Sequence, residues 1–186
     1  MTYYQRAYSL IEFLIVLVII SIILTITAPD ISNILLRNRI SGQLNQIIRA
    51  IHMARESAIF RNQVVTLCPT NNGNYCHGDW HEGMLLFIDT NEDRHLAETE
   101  ERIYHFQPLN KGDKLHWRAF RRKAYLLMHP TGVTAYQNGT FTYCPKEGIR
   151  FARGVILNAA GRIRLTQDIN GDGIDEGANG KPLRCI

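Results

Sequence analysis

The chain has 186 residues, of which 45% are hydrophobic and 20% are charged. This length excludes several large domains and suits one membrane helix followed by one compact domain of about 125 residues, which is enough chain for a hydrophobic core. The formal net charge at pH 7 is +4. A charge this small excludes a strongly basic protein, and it is compatible with nucleic acid or anionic lipid without identifying either.

The first predicted element is a membrane helix. An apolar run extends from Phe13 to Ala28 and contains only three hydroxyl side chains. At about 1.5 Å per residue, residues 10–28 span roughly 28 Å, close to the thickness of the hydrocarbon core of a bilayer. Glu12 lies near the start of this run, where an unpaired carboxylate costs an estimated few kcal/mol. This cost predicts a specific partner for Glu12.

The order of features at the amino terminus differs from that of a secretory signal, whose small residues follow the apolar segment. Here Ala7 precedes it, so cleavage after Ala7 leaves the helix attached and creates a new amino terminus at Tyr8. This order resembles the prepilin leader of type IV pilins and type II secretion pseudopilins. An alternative is a plain signal anchor whose Glu12 side chain extends to the membrane interface.

The leader resemblance implies a course of maturation and assembly. Residues 1–7 would be the leader peptide removed by a prepilin peptidase, residues 8–28 would be the transmembrane helix, and the new terminus would be N-methylated. Glu12 would pair with the amino terminus of a neighbouring pilin in the filament. The implied location is the bacterial inner membrane, with a cytoplasmic amino terminus and a periplasmic carboxy-terminal domain, and then the pilus at the cell surface.

The helix is predicted to continue beyond the membrane as an amphipathic segment over residues 29–62. A spacing of three and four residues indicates one buried helical face. The apolar residues with this spacing are Leu44, Ile47, Ile48, Ile51, Ala54 and Ala58.

Beyond this helix the pattern changes to short segments rich in β-branched and aromatic residues, separated by Gly, Asn, Asp or Pro. The predicted strands are 64–67, 84–88, 103–106, 115–117, 125–127, 141–143, 149–151, 155–157 and 162–165. Residues 63–186 therefore form a predicted antiparallel β domain. The fold class is α+β, with a long amino-terminal helix packed on this domain.

The four cysteines all lie beyond the membrane segment, and an oxidising compartment such as the periplasm would pair them. Four cysteines allow three connectivities, of which we favour Cys68 with Cys76 and Cys144 with Cys185. The first pair closes a short loop, and the second ties the last residues to the strand at 141–143.

A metal site is the alternative for the first cysteine pair, together with His77 and His81. Zinc ligands come as closely spaced cysteine pairs with a matching histidine pair, and seven residues between Cys68 and Cys76 do not fit that pattern. We therefore predict no metal site there.

Several segments of the domain resemble the GspH/FimT family of minor pilins and pseudopilins. They are Val-Thr-Leu-Cys-Pro at 65–69, Trp-His-Glu-Gly at 80–83, Phe-Ile-Asp-x-Asn at 87–91, Gly-Arg-Ile-Arg at 161–164, and the terminal Cys185. The resemblance covers most of the chain. It implies a pilin fold and other pilins as partners. The sequence also has no phosphate-binding glycine loop or nucleophile elbow, and His81-Glu82 lacks the second histidine of a zinc protease helix, so we predict no enzymatic activity, cofactor or small-molecule substrate.

The segment Gly161-Arg162-Ile163-Arg164 is the predicted functional site. Gly161 would close a turn, and strand alternation places Arg162 and Arg164 on one face about 7 Å apart, with Ile163 and Leu165 directed into the core. Arginine forms paired hydrogen bonds with phosphate oxygens. The motif resembles that of the FimT-type members that bind double-stranded DNA in natural transformation.

Further basic residues flank the motif and extend the predicted DNA-binding site: Lys146, Arg150, Arg153, Lys181 and Arg184. The alternative to a DNA-binding site is an ordinary solvent-exposed strand face. A second basic segment, residues 111–123, is interpreted as a solvated hairpin rather than a separate DNA site.

Two acidic loops have half of an EF-hand pattern. One is Asp168-x-Asn170-x-Asp172-Gly173, and the other begins at Asp89. Asn179 stands where the first loop would need its bidentate glutamate, so turns built on Asp and Asn side chains are favoured over calcium binding. Two function classes remain: a DNA-binding minor pilin, and a structural tip or priming pseudopilin without DNA binding.

Overall fold

A computed structural model describes residues 9–120, 123–134 and 136–185, except for the side chains of residues 26–30. The predicted leader, with Ala7 and Tyr8 at its cleavage site, lies outside these residues. Helix α1 covers Leu10–Arg61, and Glu12 is in its first turn. The chain divides into two compact units, Met1–Arg39 and Ile40–Ile186.

The first unit presents apolar side chains to its surroundings. Leu10 is 81% exposed, and the exposed fractions of the large apolar side chains from Ile11 to Leu24 lie between 46% and 67%. Among the described residues, no helix meets the length and hydropathy expected of a membrane-crossing segment. The span predicted for residues 8–28 includes residues whose side chains are not described, and it stays a prediction.

The second unit begins within α1, whose predicted buried face is confirmed. Ile47, Ile51, Ala54 and Ala58 are at most 1% exposed. Ile48 is only half-buried, because it lies about 100° around the helix from Ile47, at the edge of the buried face. Ala50, on the other edge, is completely buried. Between Ile40 and Ala58, α1 thus buries one narrow apolar stripe in this unit.

The first of two antiparallel sheets has the strand order β3-β2-β1-β5. Its strands are β1 Val65–Pro69, β2 Met84–Ile88, β3 Arg102–Phe106 and β5 Leu126–Met128. Every residue of β1, β2 and β5 is buried, so these strands form the interior of the domain.

The second sheet has the order β4-β6-β7-β8. Its strands are β4 Lys114–Ala119, β6 Gly139–Cys144, β7 Arg153–Leu157 and β8 Ile163–Leu165. Phe141 and Tyr143 of β6 and Val155 of β7 are completely buried. The α+β class and the antiparallel arrangement predicted from the sequence are both confirmed.

Two local predictions were wrong. Ile149–Phe151 is a 3₁₀ helix rather than a strand, and it follows Gly148, whose φ of 115° interrupts the extended backbone. Leu165 does not enter the core, since it is 49% exposed. Strand β8 has three residues and lies at the edge of its sheet, so neighbouring elements cover its inner face incompletely.

Both predicted disulfides are present. Cys68 and Cys76 are joined with a Cα–Cα distance of 5.4 Å, and Cys144 and Cys185 with a distance of 5.8 Å. The first bond uses both thiols of the alternative metal site, which the structure therefore excludes. The second bond ties the carboxy-terminal segment to the end of β6.

Candidate nucleic-acid interface

The two predicted DNA-binding arginines follow a tight turn between β7 and β8. Asn158 organises this turn with its backbone and its side chain. Its N–H donates to the carbonyl of Arg162 at 3.0 Å, and its carbonyl accepts the N–H of Gly161 at 3.0 Å. Its side-chain oxygen accepts the N–H of Arg162 at 2.9 Å. Three hydrogen bonds to one residue thus set the direction in which the chain enters β8.

Gly161 is required in this turn for two reasons. Its φ is +72°, a backbone conformation that residues with a Cβ rarely adopt. A Cβ at this position would also lie 2.4 Å from the carbonyl oxygen of Gly132. The turn is further held to the 129–134 loop because Thr134 donates its N–H to the carbonyl of Ala159 at 3.0 Å. The hairpin end is therefore fixed against a neighbouring loop.

Arg162 and Arg164 are both exposed. Neither has a side-chain hydrogen bond or ion pair with another described residue. Arg162 directly precedes β8, Arg164 lies in the middle of it, and half-buried Ile163 separates them. Alternation along an extended chain places the two arginines on one face about 7 Å apart. Two guanidinium groups are thus available on this face to an external anion.

The strand register adds a third arginine to the same face. Arg164 is opposite Ile156 of β7, Ile156 is opposite Thr140 of β6, and Thr140 is opposite Arg118 of β4. Residues opposite each other in antiparallel strands project on the same side of the sheet. Arg118 is exposed. Three inter-strand spacings place it roughly 14 Å from Arg164 across the sheet.

We call this surface the arginine face and define it by Arg118, Arg162 and Arg164. Lys114 projects from the same side of the sheet by alternation along β4, but it is opposite Cys144, about 14 Å along the strand from Arg118. Its Nζ lies 3.0 Å from Nε2 of His81. Burial lowers the pKa of His116, and the neighbouring His81 and Lys114 lower it further against the opposing effect of Asp79. The lowered pKa favours the neutral form of His116, so His116 contributes less positive charge to this side of the sheet than an ordinary histidine would.

Four of the other predicted DNA-binding residues lie toward the opposite end of the second sheet. Arg184 adjoins Cys185, which is bonded to Cys144 at the end of β6. Cys144 lies four residues along β6 from Thr140, a distance of about 14 Å in an extended strand. The exposed residues toward this end are Lys146, Arg150, Lys181 and Arg184. They form a second basic group, separated from the arginine face along the strands.

Arg153 has a different environment from the other predicted residues. It is opposite Tyr143 in the register and therefore projects from the face of the sheet opposite to Arg164. Its guanidinium forms an ion pair with Asp175 at 3.5 Å and donates to the carbonyls of Ala152 and Arg150 at 2.8 and 3.2 Å. These intramolecular contacts engage the guanidinium of Arg153, although 41% of its side chain is exposed.

The sequence patterns did not assign Arg118 to the DNA site. Alternation along β4 places Lys114, His116 and Arg118 on one side of that strand. The pairing of β4 with β6 is also needed to bring Arg118 to the side of the sheet that carries Arg164. Arg121 and Arg122 of the same basic segment are not among the described residues. Trp117 faces inward and stacks on Phe141, with ring centroids 4.1 Å apart.

Comparisons with known proteins identify the class of this chain. Residues 43–161 match the family model of the type II transport protein GspH, and residues 3–28 match the prokaryotic N-terminal methylation motif. A search of curated protein sequences finds no significant match. Because the GspH match covers more than half of the sequence, the chain belongs to the GspH family.

Solved structures of two minor pilin-type proteins are among those that resemble the chain. One is the type IV minor pilin FimU of Pseudomonas aeruginosa, with 15% identity, coverage of 70% of this chain and 90% of the FimU chain, and a TM-score of 0.58. The other is the minor pseudopilin EpsH of the type 2 secretion system of Vibrio cholerae, with 16% identity, coverage of 68% and 93%, and a TM-score of 0.47. The likeness to FimU shows a shared fold.

Membership in the GspH family and the methylation motif make this chain a minor pilin or pseudopilin of a type IV pilus or a type II secretion machine. Such subunits are structural components of the cell envelope that assemble with other pilins. The GspH match ends at Gly161, so Arg162 and Arg164 lie just beyond it.

Proposed function

We propose that this minor pilin binds extracellular double-stranded DNA without sequence specificity and that it serves DNA uptake in natural transformation. The observation that supports this proposal most strongly is the exposure of Arg162 and Arg164 on one face of β8, with no described partner for either guanidinium. The turn fixes the backbone that carries both arginines, so binding a phosphate orders only their side chains, and the planar guanidinium loses less freedom per hydrogen bond than a lysine ammonium does.

The spacing of the arginine face suits a nucleic-acid backbone. Arg162 and Arg164 are about 7 Å apart, a separation of the order needed to engage neighbouring phosphates of one strand. Arg118, roughly 14 Å across the sheet, can engage a phosphate farther along the duplex. Contacts of this kind carry no base information, so binding depends on charge and backbone geometry.

The second basic group supports the proposal through long-range attraction. Lys146, Arg150, Lys181 and Arg184 raise the positive potential that an approaching polyanion meets. Acidic residues of the 168–176 loop oppose this effect. We therefore assign the direct contacts to the arginine face and a weaker, steering role to the second basic group.

The proposal places the site in a filament subunit. The leader at residues 1–7 would be removed by a prepilin peptidase, and residues 8–28 would hold the protein in the inner membrane before assembly. Glu12 would pair with the amino terminus of a neighbouring pilin, because a buried carboxylate and a buried ammonium each reduce the desolvation penalty of the other. The β domain would then be displayed on the pilus, where extracellular DNA is accessible.

A mobility-shift assay tests the DNA-binding proposal. The parent chain, solubilised in a non-ionic detergent, should retard a double-stranded fragment at low salt. The double variant Arg162→Gln/Arg164→Gln should bind roughly tenfold more weakly or worse, because two phosphate contacts are lost. Its thermal unfolding should stay close to that of the parent, since exposed substitutions change stability by about 0.5 kcal/mol or less.

The matched control removes two positive charges from the second basic group with Lys146→Gln/Arg150→Gln. This variant should keep most of the affinity. Equal losses in the two double variants would show that net charge alone attracts DNA and would refute the assignment to the arginine face.

The alternative function is a structural tip or priming subunit without DNA binding. The end of the GspH match at Gly161 favours it, because the match that shows the family does not include the two arginines. Transformation separates the two functions. The Arg162→Gln/Arg164→Gln variant of a DNA-binding subunit should assemble pili normally and lose transformation, whereas the same variant of a purely structural subunit should keep both.

A further inference from the structure

Three carboxylates converge in the loop that follows β8. One carboxylate oxygen from each of Asp168, Asp172 and Glu176 lies within 4.8 Å of the others. Like charges this close repel one another unless a cation lies among them. Within the described part of the chain, none of the three is in an ion pair, and the nearby Arg153 pairs with Asp175 instead.

Glu176 distinguishes this cluster from an ordinary acidic loop. The residue is only 5% exposed. Its Oε2 accepts the N–H of Ile169 at 2.7 Å, but its Oε1 is buried and has no hydrogen-bond partner among the described residues. Burying a carboxylate oxygen without a partner is costly. A bound cation would remove this cost directly.

The chain brings Glu176 to the loop by folding back on itself. The N–H of Glu176 donates to the carbonyl of Gln167 at 2.9 Å, and the two residues form an isolated β-bridge. Counting Asp168 as position 1, Asn170 and Asp172 occupy positions 3 and 5 of an EF-hand loop. Glu176 is at position 9. The third carboxylate of the cluster therefore comes from a residue three positions before Asn179, which stands where an EF-hand loop has its bidentate glutamate.

Other residues of this loop also match the positions of an EF-hand loop when Asp168 is counted as position 1. Gly173 occupies position 6, where EF-hand loops need a glycine for a sharp turn, and its φ is +87°. Ile174 occupies position 7, which supplies a backbone carbonyl ligand in such loops. The side-chain oxygen of Asn170 is one more oxygen donor within the same short segment.

We propose that Asp168, Asp172 and Glu176 bind one calcium ion, with Asn170 and the carbonyl of Ile174 as further ligands. All these donors are oxygen atoms, which hard cations prefer. Calcium accepts six to eight oxygens in flexible geometry, whereas magnesium demands a near-ideal octahedron and gives up its water reluctantly. The exposed carboxylates of Asp168 and Asp172 leave room for water to complete the coordination.

The second acidic loop provides an internal contrast. Asp89 is completely buried, and its carboxylate accepts hydrogen bonds from Thr66 Oγ1 at 2.6 Å and from the N–H of Arg94. Glu100 accepts N–H groups of Thr90 and Ala97. Asp168 and Asp172 of the first loop also accept backbone N–H groups, from Gly171, Gly173 and Ile174. The difference is that, among the described residues, no acid of the second loop has a carboxylate oxygen that is both buried and without a partner, as Oε1 of Glu176 is. This contrast predicts no calcium in the second loop.

Titration calorimetry with calcium chloride as the probe tests the proposal. The sample is the full chain in detergent, from which bound metal has first been removed with a chelator. We expect one calcium ion per chain, with a dissociation constant of roughly 10⁻⁴ to 10⁻³ M, the range of extracellular calcium modules. Calcium at several times this concentration should raise the unfolding midpoint by mass action.

The variants Glu176→Gln and Asp172→Asn should each weaken calcium binding roughly tenfold or more, because each removes the charge of one ligand. Glu176→Gln still has one side-chain oxygen that can accept the N–H of Ile169. Asp93→Asn makes the same change in the second acidic loop and should leave binding as in the parent. The absence of calcium binding, equal binding in Glu176→Gln, or equal affinity for magnesium chloride would overturn the assignment. Circular dichroism of each variant confirms that it is folded.

Discussion

The α-carbon of Gly161 lies so close to the carbonyl oxygen of Gly132 that an added Cβ would approach this oxygen to 2.4 Å. The contact joins the turn that directs the arginine pair to a separate loop of the domain. Replacing Gly161 by Ala should cost about 3 kcal/mol or more of unfolding free energy, because backbone strain and steric overlap act together. Urea denaturation of the full chain measures this loss.

Gly180 offers a matched control for the glycine prediction. Its φ of +68° is close to the +72° of Gly161, but no atom lies within 4 Å of a Cβ built there. Gly180→Ala should therefore cost only the conformational strain, about 1 kcal/mol. Equal losses in the two variants would show that the contact with Gly132 does not contribute.

The two disulfides should contribute unequally to stability. Cys144 and Cys185 are 41 residues apart in sequence, whereas Cys68 and Cys76 are separated by 8. Chain entropy predicts a loss of about 4 kcal/mol for Cys144→Ala/Cys185→Ala and about 2.6 kcal/mol for Cys68→Ala/Cys76→Ala. Urea unfolding under non-reducing conditions gives both values. A larger loss for the shorter loop would contradict the entropic account.

Asp89 should make stability depend on pH in an unusual direction. Burial raises its pKa above the ordinary 3.8, while the hydrogen bonds from Thr66 and Arg94 oppose the increase. A raised folded-state pKa means that the stabilising contribution is complete below the unfolded value and is lost as pH rises through the folded value.

The variant Asp89→Asn removes this titration and keeps an oxygen that can accept from Thr66. Its unfolding free energy relative to the parent should therefore increase as pH rises from about 3 to about 7. Urea denaturation at a series of pH values follows the difference. A difference that stays constant across the series would refute the assigned role of Asp89.

Patterns within short segments of the sequence predicted much of this fold, because interactions between residues close in sequence determine those elements. The spacing of Ile47, Ile51 and Ala54 identified the buried face of α1, and alternation placed Arg162 and Arg164 together on an exposed face. Local patterns failed at Ile149–Phe151, where two residues that favour strands, Ile149 and Phe151, follow a glycine with a φ of +115°. They also failed at Leu165, whose exposure depends on the position of β8 at a sheet edge.

Two features of the sites depend on contacts between distant parts of the chain. Arg118 joins the arginine face only through the registers of three strand pairs, which no single segment encodes. Glu176 joins Asp168 and Asp172 through a bridge to Gln167 that the EF-hand spacing does not predict. Nonlocal pairing therefore determines the composition of both sites.

The salt dependence of DNA affinity tests the central claim most directly. Fluorescence anisotropy of a labelled duplex, measured with the full chain over a range of salt concentrations, gives the slope of the logarithm of affinity against the logarithm of salt. If Arg162 and Arg164 each neutralise one phosphate, the slope of the double glutamine variant should be shallower than that of the parent by about 1.8, or about 0.9 for each contact. A parent that binds no DNA at low salt, or a variant with the slope and affinity of the parent, would contradict the account.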